Sequence, residues 1–379
     1  MPKLFGRNWT RSELMKHVGD IDQIGGARRV TLAEGNEAGS DAVLFRTGTG
    51  LTFTCLAGRA LDVSSAEFCG RSLCWRSQTG DTAAPYFEPD GLGWLRNFYG
   101  GLVMTCGMSN AGAPHADPTS SEGEPMWDPE KGQWIPTGSI GLHGRVSNIP
   151  AKNLYVDGEW QGDDYVFWAQ GKMREGVVFG ANLLLNRKIS AKLGENRFWI
   201  HDEVTNEGHR PQEHMFLYHC NLGFPLVWDD SEYLINARET RPRDADAAPH
   251  VDKWREFPAP TPNQVEWVYY HDMATDADGK TMVGFARKNS GDCCALGLYI
   301  KYDKTQLPFF GQWKMPAEGT YVTGLEPATC HVEGRVKDRN EGRLKVLQAG
   351  ETAKYDLEFG VLSTLDEVAE VEDAIKAMK

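Results

Sequence analysis

One carboxylate in this chain stands in a distinctive local context. Glu326 lies in a strand-like run, residues 321–329, and is followed directly by Pro327. Because proline has no backbone N–H and biases the residue before it towards extended backbone, the pattern predicts a carboxylate held at the end of a strand. Such a carboxylate can accept a proton, although a capped structural turn would have the same local sequence.

Three of the ten histidines occupy turn or strand-edge contexts with polar neighbours. They are His143 in His143-Gly144-Arg145, His219 two residues before Asn221, and His271 before Asp272. His219 is the most informative, because it lies inside a strongly β-forming run and Asn221 shares its strand face. A buried imidazole must find hydrogen-bond partners, so His219 is either bonded to a neighbouring strand or placed to transfer a proton.

Metal and nucleotide chemistry are the alternatives to an acid–base pair. His143, His219 and Glu326 could together hold a metal, since strands bring distant residues together, but their local spacing does not favour it. The sequence contains no Gly-x-Gly-x-x-Gly run opening a helix and no Walker-type loop. We therefore expect neither a metal nor any other cofactor.

The elements that position these residues are mostly strands. Apolar residues alternate through residues 181–193, interrupted only by Arg187. After a turn at 194–196, the alternation resumes with Phe198, Ile200, Asp202 and Val204. This pattern predicts a hairpin with one buried face. Further strand-like runs cover residues 215–222, 264–270, 281–286, 295–302 and 344–359.

Helical patterns occur only near the two ends of the chain. A capping box at Thr10 and Glu13 predicts a helix within an N-terminal extension, residues 1–25, and apolar residues at helical spacing predict a helix over 366–379. Many strands without interleaved helices indicate an all-β antiparallel sandwich. No composition break marks a linker, so we expect a single domain over residues 1–379.

Composition limits the partners and the compartment. The 379 residues carry a formal net charge of −13, which disfavours nucleic acid because phosphate neutralisation requires clustered Lys and Arg. No apolar run is long enough to span a bilayer, and the N-terminus lacks the apolar core of a signal peptide, so we expect no membrane contact and a cytoplasmic location. The eight cysteines, including the vicinal Cys293 and Cys294, are predicted to be reduced and mostly buried. The long polar segment 114–136 is predicted to be a surface loop at the rim of a site.

Several motifs, in this order along the chain, resemble the galactose mutarotase-like superfamily and, more narrowly, its aldose 1-epimerase-like branch. They span roughly residues 55 to 330. They are Gly-Arg-Ala-Leu-Asp62, Gly-Trp-Leu-Arg-Asn-Phe-Tyr-Gly-Gly-Leu-Val-Met-Thr-Cys-Gly107, Leu-His-Gly-Arg-Val-Ser-Asn148, Tyr-His-Cys-Asn-Leu-Gly223 and Gly-Leu-Glu-Pro-Ala-Thr329. The resemblance implies a large antiparallel β-supersandwich with a sugar site on its curved sheet.

The resemblance also implies roles for particular residues. His219 matches the general acid and Glu326 the general base, while His143 and Arg145 match a substrate-binding pair. Asp272 corresponds to an acidic residue that grips sugar hydroxyls. Further candidates for sugar contacts are Asn221, the arginines Arg71, Arg76 and Arg96, of which Arg96 is preferred, and the tryptophans Trp75, Trp94, Trp168 and Trp313, of which Trp313 is preferred.

An acid–base pair suits the implied reaction on chemical grounds. Opening a pyranose ring removes a proton from the anomeric hydroxyl and delivers one to the ring oxygen, and a carboxylate with an imidazolium provides both functions. The substrate expected on these grounds is a small carbohydrate. Two other functions stay open: an isomerase or lyase in which Glu326 removes a carbon-bound proton, and a carbohydrate-binding protein without turnover.

Overall fold

The computed structural model describes residues 1–117, 125–130, 132–136, 138–178, 180–291 and 295–379. Its strands are β1 Lys3–Leu4, β2 Arg7–Asn8, β3 Gly26–Thr31, β4 Asp41–Arg46, β5 Leu51–Leu56, β6 Asp62–Phe68, β7 Arg71–Ser72, β8 Met104–Met108, β9 His115–Ala116, β10 Pro125–Asp128, β11 Gln133–Pro136, β12 Ser139–Ile140, β13 Lys152–Gln161, β14 Asp164–Gly176, β15 Asn182–Lys192, β16 Arg197–Asn206, β17 Gln212–Gly223, β18 Glu232–Leu234, β19 Ala237–Pro242, β20 Trp267–Met273, β21 Lys280–Arg287, β22 Leu296–Asp303, β23 Phe309–Ala317, β24 Thr320–Ala328, β25 Lys345–Leu347 and β26 Thr352–Leu362. The α-helices are α1 Arg11–Leu14, α2 Arg335–Asn340 and α3 Leu365–Lys376.

Three antiparallel sheets form the body of the molecule. An eight-stranded sheet has the order β13-β14-β15-β16-β26-β22-β21-β18, and a five-stranded sheet has the order β3-β4-β5-β6-β7. A seven-stranded sheet has the order β19-β20-β23-β24-β17-β25, with β8 paired to β17. The strand pairings within these sheets are antiparallel, which confirms the predicted all-β antiparallel class.

The alternating sequence pattern explains how the sheets pack. In β15 and β16, every second side chain is buried, and the apolar ones among these join an apolar cluster. That cluster also takes side chains from the five-stranded sheet, such as Phe45, and from the seven-stranded sheet, such as Phe216. The hairpin predicted over residues 181–204 is therefore confirmed, and its buried face packs against both other sheets.

Arg187, the residue that interrupts the alternation, is buried on this apolar face. Its guanidinium donates to Asp202 over 2.7 and 2.9 Å and to Asp62 over 2.6 Å, and all three side chains are fully buried. Thr105 donates to Asp62 and Tyr218 donates to Asp202, each over 2.6 Å. These five residues, which we call the Arg187 network, connect β6, β8, β15, β16 and β17 across the three sheets.

Both chain ends contain a helix, as the sequence predicted, although the N-terminal one is short. The capping box of Thr10 and Glu13 is present, but α1 ends at Leu14, and residues 1–25 also contain β1, β2 and the 3₁₀ turn Ile21–Gln23. The C-terminal helix predicted over residues 366–379 is α3, which begins at a second capping box on Thr364. Its buried stripe includes Val368 and Ile375.

Some predictions fall partly outside the described residues. Residues 118–124, 131 and 137 of the predicted rim loop are not described, and neither are Cys293 and Cys294. The other six cysteines are free thiols, of which five are buried and Cys69 is exposed. Within the described ranges, no helix is both long enough and apolar enough to cross a membrane.

Candidate active site

His219 and Glu326 lie on neighbouring antiparallel strands. Leu217 of β17 pairs with Ala328 of β24, and Cys220 pairs with Leu325, so the register places His219 opposite Glu326. Contrary to the sequence prediction, the strand does not end at the carboxylate, because β24 continues through Pro327 to Ala328. Proline is compatible with this strand since its φ is extended and only one N–H is lost.

Two glycines leave room for the Glu326 side chain. Gly311 of β23 is paired with Glu326, and Gly324 precedes it by two residues on the same strand face. A Cβ atom built on Gly324 would lie 2.5 Å from Glu326 Oε1, and one built on Gly311 would lie 3.1 Å from Oε2. The carboxylate therefore lies over a part of the sheet that carries no side chains.

The His219–Glu326 pair lies in a cavity of about 390 Å³. The described residues that line it are Leu92, Trp94, Leu95, Phe98, Ala113, Pro114, Leu142, His143, His219, Arg243, Glu266, Val268, Trp313, Glu326, Val332 and Glu333. His219 is 6% exposed and Glu326 2% exposed. A monosaccharide-sized ligand could reach both side chains while most of its surface is shielded from water.

His219 and Glu326 are close, yet their hydrogen-bonding capacity is not used up. Nε2 of His219 lies 3.2 Å from Oε1 of Glu326. This contact is not aligned as a hydrogen bond, and among the described residues neither Oε1 nor His219 Nδ1 has a hydrogen-bond partner. Buried polar atoms of native proteins are rarely left unsatisfied, so these atoms are suited to receiving polar atoms of a ligand.

Burial and the charges of neighbouring residues both shift the pKa of Glu326. Desolvation raises the pKa of this carboxyl above its ordinary value, and the negative charge of Glu266 acts in the same direction. Positive charge on His219 and Arg243 favours the ionised form and opposes this shift. Glu326 is thus a stronger base than a carboxylate in water.

His143 is held as a neutral hydrogen-bond donor. Its Nδ1 accepts from the backbone N–H of Gly112 at 3.2 Å, which leaves the remaining proton on Nε2. Burial, together with the charges of His219 and Arg243, lowers the pKa of His143 to about 3. The rings of His143 and His219 are 5.7 Å apart and nearly perpendicular.

Aromatic rings surround His219 on its other sides. The ring centroids of Trp313, Phe98 and Trp94 lie 5.2, 5.3 and 6.5 Å from that of the imidazole. Trp94 and Phe98 come from the segment around the 3₁₀ helix Gly93–Asn97, and Trp313 comes from β23. The wall around the imidazole is therefore mainly aromatic.

Arg243, Glu266 and Trp313 form a three-residue clamp in the cavity wall. Glu266 accepts from Arg243 Nη2 at 2.8 Å and from the indole Nε1 of Trp313 at 2.9 Å. Arg243 Nε donates to Asp244 at 2.7 Å. The clamp fixes the Trp313 ring, and within the described ranges no hydrogen bond reaches Arg243 Nη1.

The structure brings only some of the predicted site residues together. Glu326, His219, His143 and Trp313 line the cavity, whereas Asn221, Arg145, Arg96 and Asp272 do not. Of the other tryptophans considered, Trp94 lines it, and Trp75 and Trp168 do not.

Each excluded residue is occupied elsewhere or placed away from the cavity. The fully buried Asn221 amide donates to the backbone oxygens of Gly100 and His219. Arg145 precedes the 3₁₀ helix Val146–Asn148. Arg96 is largely exposed and pairs with Glu88, and Asp272 pairs with Lys304 at the protein surface. We therefore correct the sequence prediction by removing these four residues from the cavity wall.

The arginine of the cavity is Arg243, which the sequence did not single out. Arg71 bonds to Ser290, and Arg76 bonds to the Ser64 carbonyl and pairs with Asp81. Arg243 and Glu266 were missed because they flank a long irregular segment between β19 and β20, where no periodic pattern marks the residues. The only local signal was charge next to a strand end, which is common on protein surfaces.

A metal site requires several donor side chains that converge on one point. Within the described ranges, no group of three or more His, Cys, Asp or Glu side chains is arranged to hold a metal ion. His143 points one nitrogen at the Gly112 amide, and only His219 and Glu326 approach each other closely. What these residues form is a close contact between an imidazole and a carboxylate.

Comparison with known proteins agrees with this architecture. A Klebsiella pneumoniae protein described as a candidate aldose 1-epimerase is 25% identical, with a TM-score of 0.82 over 98% of this chain and 91% of that one. A galactose mutarotase-like protein from Clostridium acetobutylicum is 12% identical, with a TM-score of 0.59 over 90% of this chain and 100% of that one. Galactose 1-epimerase from Lactobacillus acidophilus is also 12% identical, with a TM-score of 0.51 over 90% and 99% of the two chains.

One of two sequence comparisons shows which family the chain belongs to. A search of curated proteins gave no match. A family model described as a domain of unknown function, DUF4432, matches residues 37–361. The match covers most of the chain, and the solved structures confirm the resemblance inferred from the motifs. The chain therefore belongs to the DUF4432 family and has the galactose mutarotase-like fold.

Proposed function

We propose that this protein is an aldose 1-epimerase that interconverts the anomers of a free sugar. The observation that carries the proposal is the buried pair of His219 and Glu326, 3.2 Å apart within a cavity of monosaccharide size. The names of the structural relatives support the same reaction class at the level of fold. An acid facing a base is needed for turnover, whereas a binding protein needs only partners for sugar hydroxyls.

The arrangement of the pair suits the two oxygens on which the reaction takes place. The anomeric hydroxyl and the ring oxygen are bonded to the same carbon, so the base and the acid must lie close together. Side chains on adjacent strands meet this requirement, since directly opposed residues have neighbouring Cβ atoms. Both residues belong to one sheet, so they approach a bound sugar from the same side.

The proposed reaction needs only proton transfers. The Glu326 carboxylate takes the proton of the anomeric hydroxyl, whose O–H electrons form the carbonyl as the bond between the anomeric carbon and the ring oxygen breaks. His219 Nε2 delivers its proton to the ring oxygen. Rotation about the adjacent carbon–carbon bond exposes the other carbonyl face, and the reverse transfers close the ring with inverted anomeric configuration.

The remaining polar groups would hold the sugar in place. The Nε2–H of the neutral His143 and Nη1 of Arg243, which no described residue engages, can donate to sugar hydroxyls. The clamped Trp313 ring can cover an apolar face of the sugar. Positioning of this kind brings the reacting oxygens to the acid–base pair and so contributes to the rate.

Exchange spectroscopy tests the proposal directly. In NMR exchange experiments on a panel of aldoses, the purified protein is expected to accelerate interconversion of the anomers without incorporating solvent deuterium at carbon. Deuterium entering a carbon position would favour the isomerase or lyase alternative. Binding of a sugar without faster exchange would favour a carbohydrate-binding protein.

Gly324→Ala should reduce turnover while the protein stays folded. The new methyl group would lie 2.5 Å from Glu326 Oε1 and 3.1 Å from Cβ of Trp313, so the flexible carboxylate must move aside and Trp313 must shift slightly. A displacement of about 1 Å can cost roughly 100-fold in rate. The measurement is kcat/KM beside the thermal midpoint. Gly176→Ala, where the nearest atom would be 3.7 Å away, is the matched control. Unchanged kcat/KM in Gly324→Ala would show that the placement of the carboxylate is not critical.

The pH profile should report the titration of Glu326. Because the base must be ionised, kcat/KM should fall as pH decreases through the raised pKa of Glu326, with a midpoint above the value of 4.5 for an ordinary glutamate. The charge of Glu266 contributes to this raised pKa. Glu266→Gln should therefore move the acid limb to lower pH, and a shift to higher pH would contradict the assignment.

A further inference from the structure

The motif Gly-Arg-Ala-Leu-Asp62 contains an arginine that the acid–base pair does not use. Arg59 lies in the turn between β5 and β6, and its side chain is fully buried. Within the described ranges it forms no ion pair. Its guanidinium donates instead to three backbone carbonyl oxygens, those of Ser147 at 2.6 Å, Thr82 at 2.6 Å and Asn97 at 3.0 Å. Since buried charges are usually paired with an opposite charge, a buried arginine satisfied by backbone alone is unusual.

One of these carbonyls belongs to the segment that supplies aromatic rings to the cavity. Asn97 is the last residue of the 3₁₀ helix Gly93–Asn97, which carries Trp94 and directly precedes Phe98. The rings of Trp94 and Phe98 are stacked, 4.6 Å apart between centroids, and both line the cavity. Because this segment is not a strand, no sheet register fixes its position. The hydrogen bond from Arg59 ties its end to the turn between β5 and β6.

A second carbonyl belongs to the segment that carries His143. Ser147 lies four residues after His143, in the 3₁₀ helix Val146–Asn148. Its carbonyl accepts from Arg59, while its hydroxyl accepts from the indole Nε1 of Trp94 at 3.1 Å. The rings of Trp94 and His143 are 4.7 Å apart. Through these contacts Arg59 and Ser147 connect residues 93–98 to residues 143–148, which we call the two wall segments.

The turn that carries Arg59 is itself firmly held. Ala60 and Leu61 are fully buried and have φ values of 57° and 58°, in the left-handed region that is unfavourable for residues with side chains. The Ala60 carbonyl accepts from Arg187 at 3.1 Å, and Asp62 belongs to the Arg187 network. Strained backbone of this kind persists only where surrounding contacts determine it, and it clusters at functional sites. The guanidinium of Arg59 therefore extends from a fixed support.

We propose that Arg59 is a positioning residue of the active site, which holds the rings of Trp94, Phe98 and His143 in the arrangement that receives the sugar. Arg59 does not line the cavity, so it acts through the two wall segments. Its planar guanidinium can donate to three carbonyls at once, which the single ammonium of a lysine cannot do in the same geometry. The consequence for sugar binding rests on the proposed function, whereas the placement of the rings does not.

Arg59→Lys tests the proposal, because it keeps the charge but not the planar set of donors. Displaced wall segments should raise KM for anomer exchange about three- to ten-fold, the equivalent of one hydrogen bond to the sugar. A residue that only stabilises the fold would change the amount of active enzyme and leave KM unaltered. Arg76→Lys is the matched control. Arg76 donates to the Ser64 carbonyl and lies 5.6 Å from the same Tyr99 ring that Arg59 approaches to 5.2 Å, but it bonds neither wall segment.

Ser147→Ala tests the same connection from the other side. It removes the hydroxyl that accepts from Trp94 and keeps the carbonyl that accepts from Arg59. Because both residues hold the same rings, the effects of Ser147→Ala and Arg59→Lys on KM should be less than additive in the double variant. The NMR signals of the His143 ring protons, which lie beside the Trp94 ring, should shift in either single variant and stay in place in Arg76→Lys.

The outcomes separate the positioning role from the proposed function. Unchanged KM and unchanged His143 signals in Arg59→Lys would overturn the positioning role. If Arg59→Lys does not fold, Ser147→Ala decides, and unchanged His143 signals there would overturn the connection between the wall segments. If the wild type converts no aldose but the His143 signals shift as expected, the proposed function fails and the positioning of the rings by Arg59 stands.

Discussion

Glu326→Gln is expected to lower kcat/KM for anomer exchange by about 10²- to 10⁴-fold, the usual contribution of a positioned general base. Glutamine has nearly the same shape but cannot take the anomeric proton at neutral pH. Sugar binding should persist, because His143, Arg243 and Trp313 are unchanged. The control is Glu318→Gln, an exposed residue in the turn that connects the two strands holding Gly311 and Glu326. Activity near the wild-type level in Glu326→Gln would remove this residue from the mechanism.

The same substitution should stabilise the folded protein at neutral pH. Burial raises the pKa of Glu326, so between 4.5 and the raised value the folded state binds more protons than the unfolded state. Stability contributed by this group is therefore lost as pH rises through that window. Removing the charge should raise the thermal midpoint at pH 8 and have less effect at pH 4. A lower midpoint at pH 8 would mean that the ionised carboxylate is stabilised by its neighbours.

Arg187→Met is expected to destabilise the fold by about 3 to 5 kcal/mol, the typical cost of breaking a buried ion pair. The substitution leaves Asp62 and Asp202, both fully buried, without their cation. Burial already raises the pKa of Asp62, and Arg187 opposes that shift. Without Arg187, Asp62 should take up a proton more readily, so the variant should lose further stability as pH rises.

Urea unfolding followed by fluorescence measures the effect. Arg174→Met is the matched control, because Arg174 lies on the neighbouring strand β14 and forms an exposed pair with Glu207. Exposed ion pairs contribute only about 0 to 1 kcal/mol. A loss in Arg187→Met no larger than in the control would show that the Arg187 network does not hold the sheets together.

Residue pattern predicted much of the fold and only part of the site. The hairpin of β15 and β16 followed from alternation in two runs, residues 181–193 and 198–204, on either side of a turn. Glu326, His219 and His143 were found because their residue types are chemically distinctive. Pro327 suggested an end to the strand, but one missing N–H was not enough to stop pairing with β23, where Phe310 faces it.

Charged residues of the site were the hardest to place from the sequence. Asp272 and Arg96 are charged residues near strands or turns, and the structure gives them surface partners, Lys304 and Glu88. Arg243 and Glu266 have the same residue types but come together across a segment of more than twenty residues. Local sequence does not distinguish these two cases, because the difference depends on which distant side chains meet.

The bare stretch of sheet beneath Glu326 gives a way to recognise this site in diverged relatives. The carboxylate has this space because Gly311 and Gly324 carry no side chains. In a sequence, the site is therefore marked by two glycines as well as by the glutamate. A relative that keeps the glutamate but has a bulky residue two positions earlier would have to hold its carboxylate elsewhere. Glycine at both positions, read together with the glutamate, therefore distinguishes members that keep the proposed site from those that keep only the scaffold.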